Sequence, residues 1–314
     1  MPSTSGTVVV LATGGTIAGT AARATQHTSY QAGALGAEAL LAAVPALHGT
    51  PLEADTLARL DSCDMDHATW ARLLARAAEH LARPEVAGVV VTHGTDTLEE
   101  TAYFLHRVLA PIKPLVLTAA MRPATALSPD GPQNLFDAVS LARAPGVRGV
   151  LAVLGGVVIA GADLRKVHGY RVDAFSAGDA GPTALLEDGA LRRLRDWPAA
   201  APHAAAARLG EPAEWPRVDI VTSHAGADGR VVDLLVADGT RGIVIAGTGN
   251  GSVHRHLLAA ARRAQAQGVR VLRASRCLLG GVVGAPAEAL PSAGTLTPVQ
   301  ARVELLLELI AALH

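Results

Sequence analysis

Two segments of this chain end in the same way. Val8-Val9-Val10-Leu11-Ala12-Thr13-Gly14-Gly15-Thr16 and Gly88-Val89-Val90-Val91-Thr92-His93-Gly94-Thr95-Asp96 are each an apolar β-branched run that stops at glycine and a threonine hydroxyl. An apolar run without polar alternation reads as a strand buried on both faces, as in a parallel sheet, and in open α/β sheets the ligand crevice lies beyond the strands' carboxyl ends. Glycine lets the backbone turn sharply there and lets a ligand come close. Two threonine hydroxyls are therefore candidates for one crevice. Neither segment is a phosphate loop, because Gly14 to Gly19 lacks the G-x-G-x-x-G spacing and no Gly-Lys-Ser/Thr follows. Either segment alone reads more simply as a strand-to-helix turn with threonine as an N-cap. Their pairing, with a lysine downstream, favours a hydroxyl site.

The rest of the sequence supports that sheet. Helical patterns at Thr69 to Ala82, Thr97 to Leu109 and Asn134 to Arg143 alternate with strand-like runs at Val89 to Val91, Leu115 to Thr118 and Val150 to Leu154. Such alternation marks βαβ units. Pro and Ala without an apolar period then mark 196–216 as a linker. Beyond it a second cycle runs through Val218 to Val221, Gly242 to Ala246 and a closing helix from Pro298 to Leu313. The expectation is an α/β protein: a larger N-terminal domain (1–195) with a mostly parallel sheet flanked by helices, and a smaller C-terminal α/β domain (217–314). At 314 residues two domains are favoured over one. Half the residues are hydrophobic but only 3% are aromatic, so the interior must be built from Ala, Val and Leu.

Several function classes drop out. A net charge of −1 leaves no basic footprint for nucleic acid. The apolar stretch from Gly149 to Ala162, interrupted by glycines, is short of the roughly 20 residues that span a bilayer, so no membrane association is expected. Met1 leads through a few small polar residues into the first strand without a signal-peptide pattern, so a cytoplasmic location is expected, or a periplasmic one if a leader has been removed. Cys63 and Cys277 are too few for a disulfide framework, and none of the 12 histidines has ligand spacing, so no metal and no cofactor are expected.

Lysine occurs only at Lys113 and Lys166; every other cation among the 27 Lys plus Arg is arginine. Arginine stays charged, whereas a lysine in a dry pocket can give up its proton and help to activate a nucleophile. Lys113, between Ile112 and Pro114 ahead of a strand, reads as structural; Lys166 is open to either reading.

Two signature segments, Leu11 to Gly19 and Thr92 to Ala102, with Ala120-Met121-Arg122-Pro123, Asp130 to Leu135, Asp163 to Lys166, Gly247 to Gly251 and Gly294-Thr295-Leu296, resemble the bacterial-type L-asparaginase and glutaminase-asparaginase family along nearly the whole chain. The resemblance implies hydrolysis of the side-chain amide of asparagine, and of glutamine in the dual-specificity branch, through a threonine acyl-enzyme. It makes Thr16 the nucleophile and Tyr30 a residue of a mobile lid, with Gly33 and Gly36 supplying flexibility. Thr95, Asp96 and Lys166 match a hydroxyl-carboxylate-amine set that handles protons, with Asp96 also meeting the substrate's α-ammonium and the Thr95 N–H stabilising the oxyanion. Which group is the general base stays open. Ser62 matches a residue that holds the α-carboxylate. Cys63 stands where many secreted relatives have glutamine, a better hydrogen-bonding group for the α-ammonium.

In the second domain the resemblance implies that Asn250 completes a neighbouring subunit's site, making a homo-oligomer, a tetramer by analogy. Glu288 is the nearest equivalent of a glutamate that does the same, in a loop shorter than the family's. The Thr95 to Thr101 wording is nearer to secreted members. Two other readings of the scaffold are a non-hydrolytic amino-acid sensor, suggested by Cys63 and the short loop, and the amidase subunit of a transfer-RNA-dependent amidotransferase. His93 reads as orienting its loop, and Asp130 and Asn134 as turn and cap residues.

Overall fold

The computed structural model describes residues 6–199, 201–284 and 289–313. The chain forms two compact units that part between Pro202 and His203. In the first, the strands are β1 (Thr7–Gly14), β2 (Leu52–Leu60), β3 (Val86–Thr92), β4 (Pro114–Thr118), β5 (Gly149–Leu154), β6 (Val157–Ala160), β7 (Arg165–Lys166), β8 (Phe175–Ser176), β9 (Ala184–Glu187) and β10 (Ala190–Arg193). Its helices are α1 (Ala37–Ala42), α2 (His67–Ala82), α3 (Leu98–Leu109) and α4 (Gly131–Arg143). Eight strands form one sheet in the order β10-β9-β6-β5-β4-β3-β1-β2, and β7 pairs with β8 apart from it.

From β2 to β5 every pairing is parallel, and from β5 outward every pairing is antiparallel. The β-branched runs supply the parallel half. Val8, Val10, Val90, Val116 and Leu151 face one side and pack on Leu40 of α1 and on Leu135, Ala138, Val139 and Ala142 of α4. Alternation sends Val9, Leu11, Val89, Val91, Leu115 and Leu117 to the opposite face, all fully buried, where α2 and α3 lie against the sheet. With few aromatic side chains available, this core is close-packed Val, Leu and Ala.

The apolar stretch from Gly149 to Ala162 is two strands. Gly155 and Gly156, at φ of 55° and 74°, turn β5 back as β6. The outer antiparallel strands, and the edge strand β2 with its Glu53, Asp55 and Arg59, carry no continuous apolar run and so leave little trace in the sequence pattern.

Strand order fixes where a ligand can sit. From β1 the chain goes to β2 on one side, then crosses to β3 on the other. The carboxyl ends of β1 and β3 are thus the point at which the winding reverses, where open α/β sheets leave a crevice.

In the second unit, β11 (Val218–Thr222), β12 (Gly242–Gly247) and β13 (Arg270–Ser275) make a parallel sheet in that order. Helices α5 (Arg230–Ala237) and α6 (Arg255–Ala266) bury Val232, Leu257, Ala260 and Ala264 against Ile243, Ile245 and Val271. The last helix, α7 (Pro298–Ala312), opens with a capping box between Thr297 and Gln300. Within 196–216, Trp197 is buried in the core of the first unit, whereas Ala204–Arg208 forms a short helical turn in the second, with Arg208 donating to the carbonyls of Ala311 and Leu313.

Candidate active site

Three parallel strands deliver the site. Thr16 follows β1, Ser62 follows β2, and Thr95 and Asp96 follow β3. Their spacing is set by glycine. Gly14 and Gly15 have φ of 112° and 78°, and a Cβ on Gly15 would lie 2.3 Å from the Gly94 Cα and 2.4 Å from its N. A Cβ on Gly94 would lie 2.4 Å from the Ser62 Oγ. The two glycine turns therefore touch backbone to backbone, and the strand ends are locked by the Thr13 hydroxyl donating to the Thr92 carbonyl at 3.0 Å.

The threonine side chains of these turns make no helix-cap bond. Thr16 has Gly15 at its cap position, and Thr97, at the N-cap of α3, spends its hydroxyl on the Ser62 carbonyl at 2.8 Å. Thr16, 5% exposed, places its Oγ 2.6 Å from the Tyr30 hydroxyl. Tyr30 lies at the base of a loop closed by the Thr20–Gln31 bridge, in which each residue's N–H donates to the other's carbonyl. Burial lifts the Tyr30 phenol above its ordinary value, and Asp61, Asp96 and Cys63 act in the same direction, while the bond to Thr16 opposes them. Near neutral pH Tyr30 is a phenol.

The Lys166 ammonium donates to the Thr95 Oγ at 2.9 Å and to Asp96 Oδ1 at 2.6 Å, with only 16% of the lysine side chain exposed. The Ser62 Oγ accepts the Asp96 N–H at 3.0 Å. Thr95 and Ser62 thus use an oxygen lone pair within the protein, and each keeps its own hydrogen to donate. Lys113 is structural, since its Nζ reaches the Arg83 carbonyl, at the end of α2, at 2.5 Å.

His93 is fully buried, and burial pushes its pKa down to about 4. The Gly94 carbonyl, 2.7 Å from Nδ1, can only accept, so Nδ1 carries the proton. Nε2 then accepts from Thr101 at 3.0 Å, whose hydroxyl in turn accepts the Trp70 indole N–H at 2.9 Å. This neutral relay fixes the Gly94–Thr95 peptide, whose other end is the Thr95 N–H.

Other residues picked out in the sequence play different parts. Asp130 accepts the N–H groups of Met121 and Arg122 at 2.9 and 3.0 Å and makes no side-chain cap bond, so it shapes that loop and does not cap α4. Asn134 bridges the Ala119 carbonyl and the Gly155 N–H. Cys63 is exposed, and partial desolvation with Asp61, Asp64 and Asp96 holds it above the ordinary thiol value, which makes it a poor nucleophile. Asn250 belongs to the second unit, where its amide exchanges two 2.7 Å bonds with the backbone of Val283 and the buried Arg273 bonds its carbonyl. Glu288 lies outside the described residues.

One residue tied to this set escaped sequence reasoning. Glu99, in the first turn of α3, accepts the Lys166 backbone N–H at 3.3 Å, and burial pushes its carboxyl up to about 7. In the sequence it is one of two adjacent acids at a helix start, a pattern that ordinarily means solvent and dipole.

A cavity of about 420 Å³ lies elsewhere in the first unit, lined by Arg122, Asp130, Asn134, Gly155 and Phe175 among others, and contains none of the hydroxyl set. Among the described residues no group of three or more His, Cys, Asp or Glu side chains is placed to hold a metal ion, and no helix is long and apolar enough to cross a membrane.

The sequence profile described as asparaginase, N-terminal, matches residues 7–198, and that described as glutaminase/asparaginase C-terminal domain matches 217–312. An L-asparaginase 2 of Bacillus subtilis is 35% identical over 313 residues, covering 96% of this chain and 81% of the relative. A glutaminase-asparaginase of Pseudomonas fluorescens is 35% identical over 287 residues, covering 88% of this chain and 77% of the relative. The crystal structure of a probable cytoplasmic L-asparaginase from Campylobacter jejuni is similar with a TM-score of 0.91 at 35% identity, covering 97% of this chain and 95% of that one. Both halves match in chain order, and the likeness extends through sequence and fold alike, so the chain belongs to the asparaginase and glutaminase-asparaginase family.

Proposed function

We propose that this protein is an amidohydrolase that converts asparagine to aspartate and ammonia through an ester on Thr16. The reading rests on two differently equipped hydroxyls carried by the touching glycine turns at the ends of β1 and β3, Thr16 beside a phenol and Thr95 beside an amine. Attack by the Thr16 Oγ on the amide carbon forms the ester and breaks the C–N bond, and the hydroxyl proton travels to the leaving nitrogen, which departs as ammonia. Tyr30 is the conduit for that proton, because as a phenol it can accept at its oxygen while donating its own hydrogen. The Thr95 N–H, held in place by His93, meets the developing oxyanion. Water then adds to the ester, Thr95 and Lys166 handle its proton, and Thr16 regains its hydrogen.

The Ser62 hydroxyl, with its hydrogen free, suits the α-carboxylate, and Asp96 suits the α-ammonium. Cys63 flanks them with a weaker hydrogen-bonding group. The family likeness supports a tetramer in which Asn250 and Glu288 serve a neighbouring copy's site, and the Campylobacter relative supports a cytoplasmic location.

The test is ammonia release from asparagine and glutamine by the purified protein. Asparagine is expected to give the higher kcat/KM; comparable values make the protein a dual glutaminase-asparaginase. Tight binding of aspartate or asparagine with no ammonia from either amide would sink the catalytic reading and leave a sensor. Tyr30→Phe removes the conduit and is expected to lower kcat by roughly a hundredfold, with KM within a few-fold of the parent. A kcat unchanged in that variant would remove Tyr30 from the proton path.

A second reading has one observation in its favour. Thr95, with an amine 2.9 Å away, is better equipped for activation than Thr16 and would be the nucleophile of a threonine-lysine pair.

A further inference from the structure

The Thr95–Asp96–Lys166 set has a second carboxyl behind it. Glu99 stands in the first turn of α3, three residues beyond Asp96, and its Oε2 accepts the main-chain N–H of Lys166. Asp96 therefore holds the lysine at its amine, and Glu99 holds it at its backbone. The strand that carries Lys166 is only two residues long, paired to β8 through Arg165 and Lys166. So short a pairing gives little hold on a side chain that must reach Thr95. A bond from α3, the helix that opens just past the Thr95 turn, ties both ends of the set to one rigid element.

We propose that Glu99 is a positioning residue of this site, anchoring Lys166 at its backbone and coupling its own charge to the amine that serves Thr95. The inference rests on the reading of Lys166 as the proton-handling amine. The coupling has a definite direction. Burial favours the neutral carboxyl and lifts Glu99 to about 7, and neighbouring Glu100 adds to that; the Lys166 N–H bond, Arg165 and the Lys166 ammonium pull the other way. Below neutrality Glu99 is a neutral acid. Above it the carboxylate is a second anion beside Lys166.

The chain suits a direct measurement, because Lys113 and Lys166 are its only lysines. Protein carrying 13Cε-lysine gives two lysine resonances, and Lys113→Arg identifies the one from Lys166. In the parent protein the Lys166 resonance is expected to show a step near pH 7, where Glu99 takes up its charge. Glu99→Gln keeps an acceptor for the Lys166 N–H but carries no charge, so the step is expected to vanish, together with any matching inflection in kcat/KM against pH. Glu99→Asp retains a carboxyl on a shorter arm and is expected to retain a step. The parent measurement needs no variant to fold. A Lys166 resonance flat through neutrality in the parent, or a step that persists in Glu99→Gln, would overturn the proposal. The step is read without turnover, so protein that shows it but releases no ammonia would leave the coupling standing and remove the hydrolase reading.

Discussion

Alanine at Thr16 is expected to lower kcat for asparagine by about 10⁴-fold or more, because removing the nucleophile of a covalent mechanism leaves only binding and oxyanion stabilisation. The fold should tolerate the change. Among the described residues the Thr16 side chain bonds Tyr30 alone, so the truncation costs on the order of 1 kcal/mol. Asparagine binding, read by calorimetry, should stay within a few-fold of the parent, since Ser62, Asp96 and Lys166 are untouched. Thr95→Ala separates the two readings of the site. If Thr16 is the nucleophile, Thr95→Ala should still build an ester on the peptide containing Thr16, detectable by mass spectrometry after acid quench, while failing to hydrolyse it. An ester found on Thr95 in the Thr16→Ala protein, with hydrolysis retained, would transfer the role to Thr95.

Gly15→Ala is expected to be nearly as damaging, by a different route. The added methyl would sit 2.3 Å from a backbone carbon of Gly94, at a φ of +78° that an L-residue rarely adopts. No flexible side chain is there to move aside, so the two turns must separate. The cost belongs at the upper end of single-residue effects, on the order of 4 kcal/mol, which for a unit of this size lowers Tm by roughly 10 °C. Activity should fall further than stability, since separating the turns moves Thr16 away from Thr95. A Gly15→Ala protein with parental Tm and parental kcat would mean that the close contact of the two turns is not needed.

These effects show what was legible in the sequence. The runs before Thr16 and Thr95 could be read because unbroken β-branched residues have few alternatives to a doubly buried strand, and Lys166 stood out because arginine had displaced lysine almost everywhere else. The half of the sheet beyond β5 was not legible. Ala184–Glu187 and Ala190–Arg193 are short, half-exposed and paired antiparallel, so neither length nor periodicity distinguishes them from loop. Glu99 was hidden for a related reason: its burial comes from packing against β7, more than sixty residues away in sequence. Asp130 looked like a helix cap because local spacing says so, but its carboxylate is drawn to two N–H groups of a preceding loop.

The placement of the two amines also matters for handling the protein. Coupling reagents that acylate lysine find one Nζ held against the Arg83 carbonyl and the other held between Thr95 and Asp96. Immobilisation or polymer attachment through lysine would therefore go slowly, and attachment at Lys166 would break its bonds to Thr95 and Asp96. A surface lysine introduced far from the carboxyl ends of β1 and β3 gives a tether that spares it, whereas thiol chemistry would also meet the exposed Cys63.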